Sequence, residues 1–304
     1  MDEAFAALAR IPLFAGVDRG AITAERLGGL TNRNYKVTSP LGSFVLRLAG
    51  EGTSAYIDRA VEAYNARIAA AAGVNAEVLY FDVGDGTMLC RFVEGAVTMD
   101  AARFEDLGAV ARAGVAFRRL HDCGTPFRSR FDLFAKLDEY LGVIGRLGAP
   151  VPEGYDAVKA EAEAVRAALA GHALPLAPCH CDPLAENFLD TGERITIVDY
   201  EYAGNNDPMW DLGDLSVEAA FDEAQDRALL EAYFGGPAPA FEHGRMVLYK
   251  AMCDLLWTLW GVLQVANENP AEDFWAYAVN RLERCRRLMA SPAFPEHLEA
   301  VRRG

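Results

Sequence analysis

The stretch from Cys179 to Ser216, CHCDPLAENFLDTGERITIVDYEYAGNNDPMWDLGDLS, constrains the chain most. Asp182 is followed five positions later by Asn187, and a turn at Asp190-Thr191-Gly192 leads into an apolar strand, Ile195 to Val198, ending on Asp199. A strand that turns back through Asp-Thr-Gly can bring Asp199 close to Asn187. A base candidate, an amide oxygen and a carboxylate then sit together on one hairpin. Phosphoryl transfer needs a carboxylate that aligns an acceptor hydroxyl and takes its proton late, and it needs hard oxygen ligands for Mg2+. Asp182 fits the first role, Asn187 and Asp199 the second. A hairpin with incidental acids leaves these three offsets unexplained.

At 304 residues the chain exceeds the usual single-domain size, which favours two lobes. Residues 1–93 read as a small β-rich lobe. In it, Leu27-Gly28-Gly29-Leu30-Thr31-Asn32-Arg33-Asn34 leads into a hairpin, Tyr35 to Val37 and Ser43 to Leu48, around a turn at Ser39 to Gly42. Backbone N–H groups in the Gly/Asn loop, around Asn32 and Asn34, can bind phosphate oxygens. Arg47 alternates with apolar neighbours, and a helix from Ser54 to Ala72 carries Glu62 as its partner candidate. Strands at 76–82 and 87–92 complete this lobe. There is no GxxxxGK[ST], and no GxGxxG follows a strand.

Residues 94–304 read as mainly helical, with helices at 104–121, 131–147 and 155–169 and over most of 217–300. His121 reads as a helix-end residue. The expected class is α+β.

Net charge is −15, from 29 basic and 44 acidic residues, which argues against nucleic acid or an anionic membrane surface as partner. A small cationic substrate is compatible with it. No run of 18 or more uncharged apolar residues occurs, so no membrane span is expected. The N-terminus lacks the form of a secretory signal, and six scattered cysteines without a CxxC pair read as reduced thiols. A cytoplasmic location follows as the expectation. Cys179-His180-Cys181 makes a poor metal site, because adjacent strand residues face opposite ways and no second ligand pair stands nearby. The oligomeric state is left open.

The catalytic stretch resembles that of the aminoglycoside phosphotransferase and choline/ethanolamine kinase superfamily, which has a two-lobed, protein-kinase-like fold. Ile197 to Gly204 is similar to the family's IDFEYAG, and Pro208-Met209-Trp210-Asp211-Leu212-Gly213 matches its xxWDLG. Gly28 to Lys36 resembles the nucleotide loop, and Phe44-Val45-Leu46-Arg47 the strand of the phosphate-contacting cation. Arg59-Ala60-Val61-Glu62 fits the helix whose acid pairs with that cation. The resemblance implies ATP and Mg2+ as cofactors.

Leu256 to Gln264, then Phe274-Trp275-Ala276-Tyr277 and Arg281, is similar to the choline kinase pattern WxLWxxxQ…YxxxR. Trp257 and Trp260 share a helix face. A quaternary ammonium donates no hydrogen bond, so aromatic faces suit it, at roughly 0.5–2 kcal/mol per cation–π contact. The resemblance implies Tyr202 as a third wall and Glu218 as an added negative charge. The expected function is ATP-dependent phosphorylation of the hydroxyl of choline or ethanolamine. Thiamine or an aminoglycoside are rival acceptors, and a non-catalytic nucleotide-binding protein is the rival of another class. Glu186 adds an acid beside the metal ligands where relatives often have Gly. Ala219-Ala220-Phe221 lacks the further tyrosine of eukaryotic choline kinases, so the cage is expected to be more open.

Overall fold

The computed structural model describes residues 2–28, 32–50, 57–172 and 174–304. After helix α1 (Asp2–Leu8), strands β1 (Thr23–Arg26), β2 (Arg33–Ser39), β3 (Gly42–Leu48), β4 (Val78–Phe81) and β5 (Met88–Arg91) form an antiparallel sheet in the order β1-β2-β3-β5-β4. In β3 the period-two alternation sends Phe44, Leu46 and Leu48 into a core with Ala4, Leu8, Ile11 and Phe14. Arg47 faces the other way, toward Glu62 on helix α2 (Arg59–Ala71). Central position and alternation together deliver one buried cation to the site.

The expected helix start at Ser54 lies outside the described residues. The helix instead begins at Arg59, because the Asp58 carboxylate accepts the N–H groups of Ala60 and Val61. Asp106 caps α3 (Leu107–His121) and Asp132 caps α4 (Leu133–Leu147) in the same way, so both start later than apolar spacing predicted. Helix α5 (Tyr155–Gly171) runs two residues past the expected end.

The stretch from Cys179 to Asn206 lies on short strands. Strand β6 (Val97–Thr98) pairs with β8 (Phe188–Asp190), which pairs with β9 (Ile195–Ile197). Strand β7 (Ala177–Cys179) pairs with β10 (Gly204–Asn206). Helices α6 (Pro208–Glu218), α7 (Glu223–Phe234), α8 (Ala240–Ala266), α9 (Phe274–Met289) and α10 (Phe294–Arg303) complete the larger core. Among the described residues, α8 alone is long and apolar enough to cross a membrane, with mean hydropathy 1.3 over its most apolar window. That window is 83% buried within the protein, so its apolarity serves packing.

α8 and α6 touch backbone to backbone. A Cβ on Gly213 would lie 2.9 Å from the Met246 carbonyl oxygen, which cannot yield as a flexible side chain would. Gly213→Ala is therefore expected to cost about 1–3 kcal/mol in urea unfolding, the range for overpacking. A loss below about 0.5 kcal/mol would show that the two helices separate easily.

Candidate active site

The loop after β7 is shaped by Asp211 of α6. Its carboxylate accepts the backbone N–H groups of His180 at 2.7 Å and Cys181 at 2.8 Å, and the Nε2–H of His121 at 3.0 Å. His121 in turn accepts the Tyr233 hydroxyl at 3.0 Å, so this helix-end histidine holds Asp211 in place. The Trp210 indole N–H donates to the Cys181 carbonyl at 3.3 Å. Cys181 takes φ of 69°, a left-handed turn that these bonds hold. Asp182 follows directly.

Asn187 donates its amide N–H to the Asp182 carbonyl at 3.1 Å, an orientation in which its amide oxygen could hold a cation. Its backbone carbonyl accepts from Val198 N–H at 2.9 Å, and the His180 Nε2–H donates to the Val198 carbonyl at 2.9 Å. These bonds bring Asp199 back beside Asn187. Asp199 has φ of 71°, a conformation that non-glycine residues rarely adopt and that accumulates at functional sites.

Arg47 meets Asp199 Oδ1 at 3.5 Å and forms an ion pair with Glu62 Oε1. Arg59 bonds the other Glu62 oxygen at 2.6 Å and Glu201 at 3.4 Å. Asn32 donates to Glu201 at 3.4 Å and accepts from Gly50 N–H at 3.2 Å, which ties the loop before β2 to the segment after Asp199. Asn34 does not join this network. Its amide donates to the Gly28 carbonyl at 3.2 Å.

Burial pushes Asp182 well above the ordinary carboxylate range, with the charges of Glu218, Asp199 and Glu201 adding to it. Glu201 rises to about 7, first through burial and then through Asp199. Asp199 is also raised by burial, against the pull of Arg47. Desolvation is the first cause in all three, and it outweighs the arginines beside Asp199 and Glu201. The donor set of amide and carboxylate oxygens fits a hard divalent cation.

On the acceptor side, the rings of Trp257 and Trp260 meet edge to face, with centroids 6.2 Å apart. Trp260 also packs edge-on against Phe274 at 5.5 Å and Tyr277 at 5.7 Å. Trp257 is 6% exposed, so the pair belongs to the core as well as to any wall. Tyr202 is half-buried in the turn after Glu201. Glu218 is not a free charge: its oxygens take Arg281 in two bonds of 2.7 Å, and Arg281 also reaches Asp254 at 3.1 Å.

The chain matches the phosphotransferase enzyme family over residues 23–249. A choline/ethanolamine kinase family protein from Mesorhizobium loti is 55% identical in sequence and superimposes with a TM-score of 0.92, covering 100% of this chain and 99% of that one. The chain belongs to the choline/ethanolamine kinase family. The choline kinase LicA from Streptococcus pneumoniae is 26% identical with a TM-score of 0.78, over 95% of this chain and 99% of that one. Protein LicA from Haemophilus influenzae is 26% identical over 91% of this chain and 83% of its own. The α+β architecture is the kinase-like fold of these choline kinase structures, and the protein is a phosphotransferase.

Three residues of this kinase escaped motif reasoning as site members: Arg59, Glu201 and Asp211. All three lay inside motifs read for other residues, in RAVE, DYEY and WDLG. Cys179 also comes within 4.8 Å of His121 and Asp211, a cluster that the spacing did not foresee. Both Asp211 oxygens are already engaged by N–H donors, and burial holds the Cys179 thiol well above its usual range. That is the state of a packed thiol.

Proposed function

We propose that this family member transfers the γ-phosphoryl group of ATP to the hydroxyl of choline or ethanolamine. The observation that carries the reading is the pinned loop, which sets Asp182 beside Asn187 and Asp199 on one side and next to Glu218 electrostatically on the other. The acceptor oxygen forms the new bond to phosphorus as its O–H proton passes to the Asp182 carboxylate, and the bond from phosphorus to the ADP oxygen breaks. Arg47, oriented by Glu62, contacts the phosphates, and Asn32, tied to Glu201 and Gly50, belongs to the nucleotide side. The Asn187 amide oxygen and the Asp199 carboxylate would hold Mg2+, which when bound supplies neutralising charge to the phosphates. Trp257, Trp260 and Tyr202 offer ring faces to the cationic head, and Glu218, balanced by Arg281, fixes the far side.

In this reading residues 1–93 form the nucleotide lobe and residues 94–304 the catalytic and acceptor lobe. Six free thiols support a reducing, cytoplasmic setting.

A coupled ATP-consumption assay over choline, ethanolamine, thiamine and aminoglycosides tests the acceptor. Turnover confined to thiamine or an aminoglycoside would overturn the amino-alcohol reading. Binding of ATP with Mg2+, seen as thermal stabilisation, without turnover of any acceptor would overturn catalysis itself. Trp257→Ala is expected to raise KM for choline about threefold to thirtyfold, the span of one cation–π contact at roughly 0.7–2 kcal/mol. Trp257→Phe should recover part of the loss. An unchanged KM in a folded Trp257→Ala protein removes the cage.

A further inference from the structure

A polar cluster lies between α6 and α8, beside Trp257. Asp214 and Glu218 lie one turn apart on the same face of α6, and Cys253 and Trp257 do so on the facing surface of α8. Ligand atoms of Asp214, Glu218 and Cys253 all lie within 4.8 Å of one another. Two of these groups are already engaged. Glu218 is held by Arg281 through both oxygens, and the Cys253 thiol donates to Asp214 Oδ1 at 2.9 Å.

Asp214 Oδ2 differs. Asp214 is 1% exposed, and this oxygen has no hydrogen-bond partner among the described residues. A buried acceptor without a partner is rare in folded proteins and calls for an explanation. Burial, followed by the charges of Glu218 and Asp182, pushes the Asp214 carboxyl well above its usual range, so it lies within the field of both the base and the cage carboxylate. Of the carboxylate oxygens in this cluster, Asp214 Oδ2 is the one that no donor among the described residues serves.

We infer that Asp214 is a specificity-determining residue, whose Oδ2 accepts a hydrogen bond from an ammonium N–H of the acceptor. The site thereby favours amino alcohols that keep an N–H over a quaternary ammonium. This deepens the amino-alcohol reading above and rests on it. Methyl groups can cover an aromatic wall, but they leave the buried oxygen unserved. An ammonium N–H serves it and adds charge assistance. Sites built around a buried polar group discriminate strongly against analogues that lack its partner.

The test is a methylation series of ethanolamine, N-methylethanolamine, N,N-dimethylethanolamine and choline, in which each step removes one N–H. The wild type is expected to show its largest fall in kcat/KM at the last step, where no N–H remains. Asp214→Leu, near in volume but unable to accept, is expected to reduce the dimethylethanolamine-to-choline ratio of kcat/KM about tenfold. Equal losses on all four acceptors would mark Asp214 as a packing residue and overturn the inference, as would an unchanged ratio. If Asp214→Leu fails to fold, Asp214→Asn keeps the shape with a weaker acceptor. Its ratio should fall about threefold, and an unchanged ratio overturns the proposal. A wild type that uses all four acceptors equally removes this inference alone. A wild type that uses none of them removes the amino-alcohol reading and this inference with it.

Discussion

Asp182→Asn is expected to lower kcat by about 10²–10⁴-fold, the usual contribution of a positioned base, while nucleotide binding persists. The same substitution should raise stability in the absence of ligands. Asp182 has its pKa raised, chiefly by burial and then by Glu218, so folding favours its neutral form. A carboxyl whose folded pKa exceeds its unfolded value costs stability once pH rises above the unfolded value, because the unfolded chain gives up the proton more readily. Asn carries no such cost. The Tm of Asp182→Asn should therefore exceed that of the wild type at pH 7 to 8, and the gap should close as pH falls toward 4. Near-normal turnover would remove Asp182 as the base. A Tm below the wild type's at pH 8, with structure intact, would show that its carboxylate is a net stabiliser.

This trade between stability and function bears on what could be read from the chain. The offsets linking Asp182, Asn187 and Asp199 were legible because one hairpin and a few local hydrogen bonds assemble them. Arg47 and Glu62 were legible because strand alternation and helix placement bring them together, with the resemblance to guide the choice. Asp211 was not legible as a support, since its partners are backbone N–H groups about thirty residues away and pattern reading tracks side chains. The Asn34 side-chain amide is bonded to Gly28, a local contact that the loop's composition does not announce. Glu218 reads as an added negative charge because its partner Arg281 lies three helices further on, on α9. Helices α2, α3 and α4 start later than their apolar spacing implies for a simpler reason: Asp58, Asp106 and Asp132 cap them.

Glu62→Ala should be the most destabilising of these substitutions, by about 3–5 kcal/mol in urea unfolding, the range for breaking a buried ion pair from one side. Glu62 is 2% exposed, and its two oxygens serve two different arginines, Arg47 and Arg59. Removing it leaves Arg47, 3% exposed, with contacts at 3.5 Å to Asp199 and to the Gly86 carbonyl. The released guanidinium should then move onto Asp199 and compete for the carboxylate that is proposed to hold the metal. Glu62→Gln, which keeps the shape and one acceptor, should lose less stability yet still raise KM for ATP. A double-mutant cycle separates the two effects. Because Arg47→Met removes the charge that Glu62 neutralises, adding it to Glu62→Ala should cost less stability than the two single changes summed, by about 1–3 kcal/mol. Activity should stay low in the double variant, since the cation proposed to contact the phosphates is then gone. Additive stability losses would show that Glu62 supports α2 through packing and Arg59, with Arg47 held by its surroundings instead.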